Sequence, residues 1–259
     1  MSVQKSWSEL QTMARACRIV VDALDALEAA AQPGVTTREM DRIAREQIEK
    51  AGARPAFLGY RGYPATLCIS VNEEVVHGIP GPRKLREGDI VGLDLGCVVD
   101  GFFGDAARTV AVGSISEEAT RLMKVTRESL SAGIDACHPG KRVGDIGHAV
   151  QTHAEKHGYS VVREFVGHGI GTSLHEEPQV PNYGPPGRRE RLVAGMCLAI
   201  EPMVNVGRPE VDVLSDGWTA ITRDRSLSAH YELSIAVTQH GPWILSEPYP
   251  YGQAEAANA

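Results

Sequence analysis

The chain has 259 residues, 42% of them apolar and 23% charged, with a formal net charge of −7. That length buries roughly 70–75% of the surface an unfolded chain exposes, so the core needs no staples, and the composition is that of a globular enzyme. The acidic balance excludes the broad basic face of a sequence-specific nucleic-acid binder, and no run approaches the roughly 18 apolar residues of a membrane span.

In chain order, Met13, Cys17, Val20, Val21, Leu24 and Leu27 recur at helical spacing and predict a helix from about Ser8 to Ala31, ended by Pro33-Gly34. Thr36 with Glu39 reads as a capping box that opens a second amphipathic helix through Met40, Ile43, Ala44 and Ile48. Residues 65–71 read as a strand, and 89–112 as a hairpin turning near Val99-Asp100-Gly101. Ser114 and Glu117 are expected to cap a third helix running to about Cys137, and a fourth covers about 143–157. Strands are expected near 160–166, 196–205, 219–222 and 231–239, with Gly/Pro-rich loops at 78–88 and 181–191. The tail GQAEAANA is expected to fray. A hairpin, two helices and then more strands predict an α+β fold, not a βαβ layout. One domain over 1–259 is expected, with 8–247 as its ordered core.

Five cysteines, scattered and without a CxxC pair, predict reduced thiols. The N-terminus lacks a charged-then-apolar leader pattern, so the expected compartment is the cytoplasm.

The hairpin gives the first chemical clue. Alternation sets Asp94 opposite Val91, Leu93, Leu95 and Cys97, and Asp105 shares its face with Phe103 and Ala107. The two aspartates lie nearly symmetrically about the turn, as opposite or diagonal neighbours roughly 5–8 Å apart. Carboxylates this close in an apolar sheet repel, and one protonates unless a cation lies between them. The pair alone is equally compatible with two solvated aspartates on an exposed hairpin.

His168 and His175 stand in the Gly-rich segment GHGIGTSLHEEPQVPNYG, at a spacing that is no recognised zinc pattern. Glu201 ends an apolar run and is held extended by Pro202, while Glu232 lies in a strand whose apolar face is Tyr231, Leu233, Ile235 and Val237. Each glutamate by itself is usually solvated. Together, Asp94, Asp105, His168, Glu201 and Glu232 form an oxygen-rich set that suits two divalent ions about 3.5–4 Å apart with bridging carboxylates. His77 precedes a Gly/Pro-rich loop, and Tyr60 and Tyr63 lie in a turn-rich segment of the kind that lines pockets. His138, His148, His153, His157, His230 and His240 read as structural.

The strings SVNEEVVHGIP, VGLDLGCVVDGFFGDAARTVAVG, FVGHGIGTSLHEEPQVPNYG, LAIEPMVN and DRSLSAHYELSIAVT together resemble, in order and spacing, type I methionine aminopeptidases. The resemblance spans nearly the whole chain. It implies the pita-bread fold, an antiparallel curved sheet flanked by helices with pseudo-twofold symmetry. It implies Asp94, Asp105, His168, Glu201 and Glu232 as ligands of two divalent ions (Mn, Fe, Co or Zn), with Asp105 and Glu232 bridging. His77 and His175 match the histidines that contact substrate, and Tyr60, Tyr63, Cys68 and Trp218 match the methionine pocket. The implied reaction is removal of the initiator methionine from nascent polypeptides near the ribosome, with a small second residue preferred and a monomer expected.

In that reaction, water bridging two cations loses a proton near neutral pH and attacks the peptide. Glu201 would take and relay the proton, and His175 would donate to the carbonyl oxygen. Departures from the family pattern fall at Phe103, Gly96, Phe57 and Leu174; none removes a ligand. Two rival readings share the fold. A prolidase or Xaa-Pro aminopeptidase usually has an extra N-terminal domain, whereas fewer than 100 residues precede Asp94 here. A non-catalytic binding module typically loses ligands, and here all five are kept.

Overall fold

The structure, a computed structural model, describes residues 4–251, so the tail expected to fray lies outside the described residues. Helix α1 spans Trp7–Ala30 and buries Leu10, Met13, Cys17, Val20, Leu24 and Leu27 along one face. The Ser6 N–H donates to the Glu9 carboxylate at 2.7 Å and fixes its first turn. Helix α2 spans Thr37–Lys50; the Thr36 hydroxyl accepts from the Glu39 N–H at 3.1 Å. The Glu39 carboxylate pairs with Arg42 at 3.0 Å rather than closing a reciprocal box.

Helices α3 (Glu117–Asp135) and α4 (Val143–Lys156) follow the hairpin. The cap of α3 is Ser116, which accepts from the Ala119 N–H at 3.1 Å, and not Ser114 as expected. The Ser114 N–H instead donates to Glu87 at 2.6 Å, which ties it to the loop before the helix.

A nine-stranded antiparallel sheet organises the molecule. Its path runs through Arg54–Pro55, the hairpin strands Ile90–Val99 and Phe102–Ala111, then Glu232–Val237, Cys197–Ile200, Gly167–Gly169 and Glu176–Val180. Leu67–Val71 pairs with Ile90–Val99, and Pro242–Ile244 with Glu232–Val237. The expected strand at 160–166 shortens to Ser160–Val161, because exposed Arg163 and Glu164 interrupt the apolar run.

The expected strand at 196–205 is two strands. Cys197–Ile200 belongs to the large sheet, whereas Met203–Asn205 pairs with Ser228–His230 in a three-stranded one. Pro202 has no N–H for a ladder bond, and the chain changes sheets there. The facing segment changes sheets at Tyr231, between Ser228–His230 and Glu232–Val237. Glu201 and Glu232 therefore lie at adjacent corners of two strand pairs.

The two largest hydrophobic clusters among the described residues lie behind the sheet. Helices α1 and α2 bury Leu24, Leu27, Met40 and Ile48 against Leu67, Ile69, Leu93 and Leu95. On the other half, α3 and α4 bury Leu130, Ile134, Val143 and Ile146 against Leu198, Ile200, Ile235 and Val237. Each such side chain contributes about 1.5–3 kcal/mol on burial. Gly104 sets how closely α1 lies on the hairpin, since a Cβ there would come 2.5 Å from the Cys17 nitrogen.

Candidate active site

The register brings the predicted acids together. Asp94 pairs with Ala107 and Gly96 with Asp105, so the two aspartates are diagonal neighbours across the hairpin. Glu232 also pairs with Ala107, Leu233 pairs with Ile200, and His168 with Ala199. Asp94, Asp105, His168, Glu201 and Glu232, separated by up to 138 positions in the chain, line one cavity of about 140 Å³. His168 Nε2 lies 3.5 Å from Glu201 Oε1 and 3.9 Å from Asp105 Oδ2.

This arrangement is electrostatically costly. Burial pushes the Asp94 carboxyl up to about 7. Burial first, and then neighbouring carboxylates, raise Asp105, Glu201 and Glu232 well above the usual range. Asp94 Oδ1, Asp105 Oδ1 and Glu232 Oε1 are buried without a hydrogen-bond partner. Among the described residues no Lys or Arg ion pair reaches any of the four acids. Unpartnered buried oxygens beside one another are what a divalent cation satisfies, so the donor set fits metal.

His168 fits the same purpose. Its Nδ1 lies 2.9 Å from the Gly169 carbonyl, which can only accept. The proton is therefore on Nδ1, and Nε2 turns a bare lone pair toward the acids, the usual orientation of a metal-ligating histidine. Burial holds its pKa down to about 3, so it is neutral at pH 7.

The remaining predicted residues form the walls. Tyr60 OH lies 2.8 Å from His175 Nδ1, with the two rings stacked, and the His175 ring sits 4.1 Å from that of His168. Tyr63 packs edge-on to Trp218, which also faces His77, and Cys68 and Phe57 close the apolar side. His77 has a backbone φ of 63° and a pKa lowered to about 4 by burial.

The four departures form one packing unit. A Cβ at Gly96 would lie 2.7 Å from the Phe57 ring, so the large residue at 57 requires the small one at 96. Phe103 and Leu174 pack in the same cluster. Two further residues were not singled out by the sequence. Arg61 lines the cavity mouth. His230, read as structural, is buried with Nε2 unpartnered, 3.8 Å from Glu201 Oε2. Its position two before Glu232 was the available signal.

Comparison with known proteins gives a consistent result. The family model described as "Metallopeptidase family M24" matches residues 11–239. The methionine aminopeptidase of Clostridium acetobutylicum is 52% identical over 247 residues, covering 95% of this chain and 99% of that protein. The crystal structure of methionine aminopeptidase from Thermotoga maritima superposes with a TM-score of 0.94 at 45% identity, covering 96% of this chain and 100% of that one. A prolidase from Pyrococcus furiosus, 22% identical, has a TM-score of 0.77 over 96% of this chain and 66% of its own, a likeness of fold alone.

Proposed function

The chain belongs to metallopeptidase family M24, among its methionine aminopeptidases with their pita-bread fold, and from that premise we propose that its five-residue cluster holds two divalent ions beside a pocket for methionine. It is a metal-dependent hydrolase that removes N-terminal methionine. The observation that supports the two-ion reading is the set of three buried carboxylate oxygens without partners, facing a bare imidazole nitrogen. Asp94, Asp105, His168, Glu201 and Glu232 would hold the ions, with Asp105 and Glu232 shared. Bound there, divalent ions supply Lewis-acid polarisation and a water acidic enough to attack near neutral pH.

The protein's own groups do the rest. Glu201, 3.5 Å from His168 Nε2, takes the proton of the attacking water and passes it to the leaving amine. When Tyr60 donates to His175 Nδ1, the His175 proton is on Nε2, the tautomer that donates to the scissile carbonyl oxygen as charge develops. His77, neutral at pH 7, orients the peptide beyond the first residue. The Asp94 side receives the free α-amino group, which is why an N-terminus is required. The setting this reading implies is a monomer acting on nascent chains in the cytoplasm.

Phe57, Tyr63, Cys68 and Trp218 make an apolar slot suited to an unbranched thioether. Leucine is wider at the same depth, and a misfitting methyl costs about 1–3 kcal/mol. Peptides Met-X-Gly with X varied, run beside Leu-Ala-Gly, test the slot. Methionine is expected to exceed leucine by about 10–200-fold in kcat/KM, and Ala, Gly or Ser at X to exceed Lys or Phe. Equal rates across either series would overturn the substrate reading.

A further inference from the structure

We propose a separate metal-binding site outside the cavity, formed by Glu128 on α3 with His153 and His157 at the end of α4. The histidines are four residues apart, hence on one helix face, and α3 packs against α4. His153 Nε2 lies 3.3 Å from Glu128 Oε2, and the two imidazole centroids are 4.6 Å apart. One ligand atom from each residue lies within 4.8 Å of the other two. Bonds of about 2.0–2.2 Å around one zinc ion need ligand atoms slightly closer, a contraction these part-exposed side chains reach by rotation.

His157 is already oriented. Its Nδ1 lies 2.8 Å from the His153 carbonyl, which only accepts, so Nδ1 has the proton and Nε2 is a bare lone pair. The helix itself adds a second factor. His157 is the C-cap of α4, at the negative end of the helix dipole, which favours a cation. Two cations are nearby. Arg121 donates to the His157 carbonyl at 3.2 Å, and Lys124 Nζ stands 3.8 Å from Glu128 Oε1 on an exposed, flexible stem that can leave.

Two imidazoles and one carboxylate suit zinc, copper, nickel or cobalt better than magnesium or calcium, with water completing the shell. None of the three residues lines the cavity. Metal analysis of the whole chain would therefore count one ion more than the acid cluster holds.

The test is a Zn²⁺ titration of metal-stripped full-length protein by calorimetry, with bound zinc counted after gel filtration. Wild type is compared with the double variant His153→Gln, His157→Gln and, separately, with Asp105→Asn, Glu232→Gln. The histidine variant should bind one ion fewer than wild type, melt with it when both are metal-free, and keep full turnover. Glu128→Gln should weaken the same ion by at least about tenfold, the least that losing even an outer partner of a metal ligand costs. The acid-cluster variant should keep this site, so a failure of the active-site reading would appear in that variant alone. Equal stoichiometry and affinity in wild type and the His153→Gln, His157→Gln variant would overturn the proposal.

Discussion

Asp105, His168 and Glu232 meet at the floor of a cavity with carboxylate oxygens unpartnered, whereas Glu128, His153 and His157 meet on the outside of a helix pair, with water and Lys124 at hand. The cavity set is rich in carboxylates and the helix set in imidazoles, and the two differ further in solvation. In the cavity, burial raises every carboxyl and neighbouring carboxylates add to it at Asp105, Glu201 and Glu232, so the cluster favours protons or a cation. On the helices Glu128 already has Lys124 and His153 beside it. Burial thus distinguishes the cluster proposed for catalysis from the one proposed on the helices.

Removing a buried charge proposed to be shared by both ions should break this contrast most severely. Asp105→Asn and Glu232→Gln are each expected to abolish turnover of Met-Ala-Gly while circular dichroism stays native, because each variant loses at least one ion. Either variant turning over at near wild-type rate with two ions in the cavity would remove these residues from the centre.

A smaller effect is expected from His175→Ala. His175 touches the site through Tyr60 and its own ring and contributes no ligand in this account, so metal content should hold while kcat falls about 10²–10³-fold, as for the loss of one oxyanion donor. Purification of that variant without metal would make His175 a ligand instead. The smallest effect belongs to the helix-face histidines, whose replacement should leave kcat/KM for Met-Ala-Gly unchanged.

How legible each part was depended on the range of the interactions that fix it. Asp94 and Asp105 were readable as neighbours because the hairpin is local, and alternation about its turn sets which side chains meet. Glu201 and Glu232 were not readable as neighbours from pattern alone. Their approach depends on two strands changing sheets together, at Pro202 and Tyr231, and only the family resemblance supplied it.

Short elements escaped for a related reason. Val211–Val213 is too brief to show periodicity, and its partner strand defines it. The α3 cap was misplaced because Ser114 with Glu117 imitates a capping box, while Ser116 actually accepts the bond. The Phe57–Gly96 complementarity joins residues 39 positions apart and needed coordinates to be seen.

The most direct test of the two-ion centre is a back-titration of metal-stripped His153→Gln, His157→Gln protein, in which only the cavity competes for metal. Bound Mn²⁺ or Co²⁺ and Met-Ala-Gly turnover would be followed in the same samples. No turnover is expected at zero metal, with a rise to a plateau when two ions are bound per chain. Full turnover without metal, or a single ion bound at saturating metal and maximal rate, would contradict the two-ion centre.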